Sequence, residues 1–364
     1  MKFDKPIKLL PNICVEKSGA VSGYNWGKEP SSSNILKTLN SVSGNLSAQN
    51  ISIGDNDLIA ERWIVSDDRE NPSFALIDGK FESLFSVLEK WAKNILGETH
   101  FLNFGHYIGT IMKLLDTNNA PLKGSLSVQV HPKFGYSKRP SKPEMWKGKG
   151  RIYIGWKCDM TEDAIKEAVH NNSLEDFLNS VEINEDNLVI VPGGTVHAIR
   201  YGTFIHEWSK SITEEDSNYK TLKNATIALY DRTDGKTPRL NKENIECSLD
   251  VMKHADKFKK ITDFFVNSKT INEEPSGNSI RRLFNTKEVI VDEYTISSSI
   301  DINTNERGFP IYLESGKLNV LKDGKIIDVI NKGEERLFPQ EMRDVILNNI
   351  SDSKSVLYKW YRPF

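Results

Sequence analysis

Ser125-Leu126-Ser127-Val128-Gln129-Val130-His131-Pro132 is the stretch on which the fold is decided. Apolar and polar residues alternate through it with period two, the pattern of a half-buried β-strand. Leu126, Val128 and Val130 point into one layer, and Ser127, Gln129 and His131 share the opposite face. That face carries an imidazole and an amide oxygen two residues apart, close enough for both to reach one ion. Pro132 ends the strand. Read alone, the stretch is equally an edge strand with ordinary polar residues.

Downstream, a basic, proline-punctuated loop runs from Lys133 to Gly150 and contains Ser141-Lys142-Pro143-Glu144-Met145-Trp146. Arg151–Lys157 alternates again and predicts a strand. Residues 161–181 predict two short amphipathic helices, with N-cap signals at Thr161 and Ser173. His170 lies in this polar insert and is expected to be solvated. Strands resume at Leu188–Val191, stop at Pro192-Gly193-Gly194, and continue through Thr195–Ile199 and Thr203–Glu207. A charged stretch, Lys210–Asn224, precedes Ala225–Arg232, and Lys242–Lys253 predicts a helix. From about residue 260 the chain is strand and turn, with hairpin chemistry at Leu313–Gly316 and Leu321–Lys325.

Upstream, residues 1–75 are short apolar runs broken by Gly, Ser, Asn and Pro, a β-rich region with long loops. Trp26-Gly27 and Glu61-Arg62-Trp63 stand out, and packing alone would explain both tryptophans. Residues 82–97 have an i, i+3, i+4 apolar pattern closed by Gly97, predicting a helix. A strand is expected around Ile111–Leu115.

Length and composition bound what the chain can be. At 364 residues two domains are expected, and 38% apolar residues describe a globular protein. A formal charge of -2 gives no reason to expect a nucleic-acid or anionic-membrane partner. Cys14, Cys158 and Cys247 are odd in number and widely spaced, as reduced thiols are, and near no histidine pair. No run reads as a secretory signal or a membrane span, so a cytoplasmic location is expected. No glycine loop follows a strand as in nucleotide-binding enzymes, and no Ser/His/Asp set suggests itself.

Pro192-Gly193-Gly194-Thr195-Val196-His197 resembles the second sequence element of cupin barrels, a tight glycine turn that delivers a histidine inward. Together with Gln129-x-His131-Pro132 and Lys142-Pro143-Glu144, in this order and spacing, it resembles the type I phosphomannose (mannose-6-phosphate) isomerases. Trp26-Gly27 and Glu61-x-Trp63 sit where that family has matching elements. The similarity spans nearly the whole chain and is close around residues 125–146 and 188–208. The resemblance implies a mainly β fold of two cupin-type jelly-roll β-barrels. Residues 1–240 would form the metal-binding catalytic domain, with a small helical insert at about 159–182. Residues 241–364 would form a metal-free barrel, since Pro339-Gln340-Glu341-Met342-Arg343 puts arginine where a ligand histidine would be.

By motif match the metal ligands would be Gln129, His131, Glu144 and His197, a donor set that Zn²⁺ accepts. The family interconverts mannose 6-phosphate and fructose 6-phosphate through an enediol. Ser127 matches its strand serine near the phosphate, and Lys142 the lysine that precedes the ligand glutamate. Glu207 begins the family's next element, as the base or a group that orients it. The element then departs: Trp208-Ser209-Lys210-Ser211 follows, and the chain runs longer before Tyr230-Asp231-Arg232. Arg232 is the catalytic arginine in one alignment; in the other, Thr226 occupies its place and the arginine is lost. Asp216 is a candidate for the family's aspartate, and Ser141 stands where some members have histidine. His206 is expected to be structural, and His100, His106 and His254 have no partners at ligand spacing.

The expectation is therefore a zinc-dependent aldose-ketose isomerase acting on a sugar phosphate, a monomer or weak homo-oligomer with no nucleic-acid or membrane partner. The alternatives are a catalytically weakened sugar-phosphate-binding relative, an isomerase of another sugar, or an iron oxygenase. Gln129 in place of a third histidine argues against the last.

Overall fold

The computed structural model describes residues 2–18, 24, 26–39, 52–118, 126–133, 136, 140–211, 226–230, 242–253 and 260–364. Their fold is mainly β, as expected, and consists of an eleven-stranded, a nine-stranded and a four-stranded sheet. The eleven-stranded sheet forms the first barrel, and the other two enclose the second.

The thirteen-residue strand Glu144–Trp156 is the spine of the first barrel. Its first half pairs with Phe204–Lys210 and Leu188–Val191. Its second half pairs with His197–Ile199 and Leu178–Ile183. Gly148 and Gly150 sit where it changes partners. A Cβ on Gly148 would lie 2.2 Å from the Phe204 carbonyl oxygen, and Gly150 has φ +127° with a virtual Cβ 2.5 Å from Thr203 Cα. Only glycine lets the strand bend here against its neighbour, which is how one strand serves both halves of a barrel. Beyond Phe204–Lys210 the sheet continues through Thr110–Asp116, Leu58–Val65 and Asn12–Glu16, all antiparallel.

Two helices cover the outside of the strands that carry the candidate ligands. Glu162–His170 starts at Thr161, whose side chain accepts the Ala164 N–H at 3.2 Å, as its capping signal predicts. The second helix expected in the insert does not form. Leu174–Phe177 is a short 3₁₀ turn, Ser173 makes no side-chain cap, and Leu178–Ile183 is a strand. The edge offered by Arg151–Trp156 decides this: Leu178, Val181 and Ile183 are satisfied by pairing, where a lone helix turn would leave them half packed. Lys242–Lys253 is helical as expected. Its Leu249 packs with Ile165, Val169, Val128 and Leu229 behind the Gln129 strand.

Both chain ends build the second barrel. Ile7–Leu10 pairs with Glu335–Phe338 on one side and with Phe74–Ile77 on the other. Phe265–Val266 still pairs with Leu188–Val191 of the first barrel, and the nine-stranded sheet takes up the chain at Lys269. Asp323-Gly324 makes the two-residue turn between Lys317–Lys322 and Lys325–Asn331, both residues at positive φ. The interior of this barrel is filled by Ile300, Ile302, Phe309, Ile311, Leu313, Met342 and their neighbours. Met342, in the turn Gln340–Met342, occupies that apolar core.

The barrels share an apolar seam in which Trp208 meets Tyr358 edge-on at 5.2 Å and Phe284 at 5.9 Å. One fully buried ion pair crosses it. Arg62 donates to Glu335 Oε2 and the Gly333 carbonyl, both at 2.6 Å, and to Thr38 Oγ1 at 2.8 Å. Among the described residues, no helix is long and apolar enough to cross a membrane.

Candidate metal centre

Three buried groups converge inside the first barrel: His131, Glu144 and His197, whose ligand atoms all lie within 4.8 Å of one another. Strand register brings them together. His197 is opposite Gln129, and its strand also pairs with the Glu144 strand. The Pro192-Gly193-Gly194 turn is pressed onto the segment that carries His131. Gly194 N–H donates to the His131 carbonyl at 2.6 Å, and a Cβ on Gly193 would lie 2.4 Å from Lys133 Cα. The turn needs glycine because of this approach, as well as for the φ of +89° at Gly194.

The contacts suit a cation. His197 Nδ1 lies 2.8 Å from the Thr195 carbonyl, so it carries the proton and leaves the Nε2 lone pair facing the site. Nε2 is 3.6 Å from Glu144 Oε2 and 3.4 Å from the Gln129 amide nitrogen. Turning that amide over would present its oxygen to the same point. His131 Nε2 is 2.9 Å from Glu144 Oε1. Burial pushes His197 down to about 4, with Glu144 opposing, so its imidazole is neutral at neutral pH, the form that binds metal. Burial would raise Glu144, but Lys142 and His131 outweigh it and hold the carboxyl well below the usual range. Two imidazoles and a carboxylate, with an amide oxygen in reach, fit a divalent ion.

Lys142 bridges this group to the next carboxylate. Its ammonium touches Glu144 Oε1 and stands 3.3 Å from Glu207 Oε1. Burial alone would lower the Lys142 pKa, but the two carboxylates reverse that and raise it, so the amine is a fixed cation. Glu207 is raised by burial and by the charge of Glu144, against Lys142 and Lys113. Ser209 Oγ donates to Glu207 Oε1 at 3.2 Å. Ser127 is fully buried just before the Gln129 strand, on the ligand side by alternation.

Three further residues complete the polar lining. Lys113 pairs in register with Glu207 and Trp63; its ammonium is 3.6 Å from Glu61 Oε2 and 3.9 Å from the Trp63 ring centre. Glu61 and Trp63 were notable only as a motif, and Lys113 only as part of a strand. A single lysine inside Ile111-Met112-Lys113-Leu114-Leu115 was the available signal. Arg232, Asp216 and His254 lie outside the described residues. Thr226 immediately precedes Ile227–Tyr230, the strand that pairs with the Gln129 strand through Ile227 and Val130. His206, on the other face of its strand, is 3.0 Å from Glu314 of the second barrel, and His100 Nε2 is 2.8 Å from the Tyr107 carbonyl.

A barrel that gathers two histidines, a glutamate and a glutamine on adjacent strands, joined to a second, apolar-filled barrel, has the fold of a cupin-type protein, with a buried group that could hold a metal ion. Its fold is that of the mannose-6-phosphate isomerases. A mannose-6-phosphate isomerase structure from Bacillus subtilis matches 97% of this chain and 99% of its own, with a TM-score of 0.70 at 18% identity. A putative mannosephosphate isomerase from Archaeoglobus fulgidus matches 99% and 98%, with 0.68 at 15%. The Salmonella typhimurium enzyme, solved bound to substrate (fructose 6-phosphate) and zinc, matches 99% and 100%, with 0.65 at 14%. In sequence, a probable mannose-6-phosphate isomerase of Bacillus subtilis is 28% identical over 126 residues, spanning 32% of this chain and 37% of that relative's length. No protein-family model matches the chain. The sequence relative and the structural neighbours are thus mannose-6-phosphate isomerases, the family its motifs resemble.

Proposed function

We propose that this protein is a zinc-dependent aldose-ketose isomerase that interconverts mannose 6-phosphate and fructose 6-phosphate. The observation that carries the reading is the buried His131–Glu144–His197 group with Lys142 and Glu207 beside it. Gln129 is the fourth ligand. Zinc, held by these residues, would polarise the sugar oxygens without redox change. Lys142 and Lys113 provide fixed positive charge in a buried site, which favours an anionic substrate and the negative charge that develops when a proton leaves carbon. Ser127 is a hydroxyl donor for the phosphate. Glu207 moves the proton between C2 and C1. Arg232 is the candidate catalytic arginine, and Thr226 marks the place where the other alignment loses it.

The test is a coupled assay of mannose 6-phosphate conversion, with and without chelator and after zinc is restored. Turnover abolished by chelator and recovered with zinc is the expected result, and Arg232→Ala then decides between the alignments. A folded, zinc-loaded protein without turnover refutes the isomerase reading and leaves the sugar-phosphate-binding one.

A further inference from the structure

The second barrel is apolar in its core but charged near one end. Leu357, Lys359 and Tyr361 alternate onto one face of the strand Ser355–Tyr361, and Leu357 and Tyr361 pack with that barrel's core. Lys359 stands opposite Ile311 on one neighbouring strand and Asp292 on the other, and Asp292 stands opposite Arg282. A row of Arg282, Asp292 and Lys359 thus crosses three strands. It lies near the end where Phe309–Ser315 begins and Ser355–Tyr361 stops.

The charges here do not balance. Arg282 takes both oxygens of Asp292, Nε to Oδ1 at 2.8 Å and Nη2 to Oδ2 at 3.1 Å. Lys359 forms no ion pair among the described residues; its ammonium lies 3.9 Å from the Phe309 ring centre and 5.6 Å from that of Tyr361. Arg307 is only 9% exposed, and its guanidinium carbon lies 4.9 Å from the Tyr361 ring centre and 3.4 Å from that of Phe364. It donates to the Arg362 carbonyl at 2.5 Å and likewise forms no ion pair among the described residues. Arg307 precedes Phe309 by two residues as Lys359 precedes Tyr361, so in this antiparallel pair the two cations reach the Phe309 and Tyr361 rings from opposite ends. Burial pushes Lys359 down to about 8; Asp292 and Glu306 oppose this, and Arg307 and Arg282 add to it. Two cations held without carboxylates of their own are costly to bury, and an anion seated between them relieves both.

We propose that this end of the second barrel binds a phosphate dianion, free or as the head of a small monoester, held by Lys359 and Arg307 against the Phe309 and Tyr361 rings. Two positive charges match the dianion that a phosphate carries above its second pKa of about 6. An ammonium and a guanidinium together offer it a point charge and a planar fork of donors. The site lies in the barrel that carries none of the candidate metal ligands, and it stands or falls independently of the isomerase reading.

The test labels the zinc-loaded parent with limiting acetic anhydride at pH 8 and reads the rate at each lysine by mass spectrometry, while inorganic phosphate replaces chloride at constant ionic strength. An anion that raises the Lys359 pKa by about one unit cuts its neutral fraction at that pH from about half to about a tenth, so its labelling falls about five-fold and saturates. Lys325, exposed on the same barrel, keeps its rate. Arg307→Met weakens the protection about ten-fold or more. Glycerol 3-phosphate protecting at lower concentration than inorganic phosphate assigns the site to a monoester, and the reverse order assigns it to free phosphate. A Lys359 rate that neither compound changes, or that falls only in step with Lys325, overturns the site. Parental protection in a folded Arg307→Met protein overturns the Arg307 contact, and if that variant does not fold, the titration of the parent still decides whether the site exists.

Discussion

Replacing Arg62 by methionine removes the cation that fastens the two barrels together. The side chain is fully buried and makes three hydrogen bonds, two of them to the loop and strand of the second barrel at Gly333 and Glu335. Its guanidinium also lies 5.4 Å from the Tyr312 ring centre. Methionine fills much of the volume but leaves the Glu335 carboxylate facing an apolar seam. Breaking a buried pair from one side costs about 3–5 kcal/mol. At about 2.1 cal/mol/K per residue, a 364-residue chain has an unfolding entropy of about 0.8 kcal/mol/K, so the expected fall in Tm is about 4–6 °C. The assay is thermal unfolding by calorimetry at pH 7.5 of the parent, Arg62→Met, and the double variant Arg62→Met/Glu335→Leu. The double variant recovers most of the loss, because the penalty lies in the buried Glu335 carboxyl group left without its partner. A single variant as stable as the parent, or a double variant no better than the single, refutes the assignment.

Three other outcomes follow from the same contacts. Burial pushes Glu335 up to about 7 against the pull of Arg62 and Arg336, so the folded chain holds its proton to higher pH than the unfolded one. This group's contribution to stability is then lost as pH rises from about 4.5 to 7, and Glu335→Gln flattens that part of a stability-pH profile measured by urea unfolding. Gly193→Ala places a Cβ 2.4 Å from Lys133 Cα, prising the turn from the His131 segment; zinc titration is expected to show weakened binding along with a lower Tm. His197→Ala removes a proposed ligand whose tautomer is already set by Thr195, and calorimetric titration is expected to show zinc affinity reduced at least about 100-fold with the fold retained by circular dichroism.

Much of the site was legible because it is written in short-range patterns. Alternation through Ser125–Pro132 put Gln129 and His131 on one face, and the Pro-Gly-Gly turn announced His197. The helix Lys242–Lys253 and the Asp323-Gly324 turn were likewise visible, since caps, periodicity and turn residues act within a few positions. Residues 173–183 misled for the same reason. Their pattern suits a short helix or a strand, and the exposed edge of Arg151–Trp156 settled the matter from outside the segment.

Local pattern alone placed Gln129 and His131 on one strand face and marked the turns at Pro192–Gly194 and Asp323–Gly324. Only the tertiary structure decided that Lys142 stands between Glu144 and Glu207, and that Lys113 faces Glu61 and Trp63. The physical reason is register: residues 144 and 207 lie on adjacent strands, and their spacing depends on how those strands pair and on where Gly148 and Gly150 bend the spine. Nothing in the sequence local to either residue encodes that pairing.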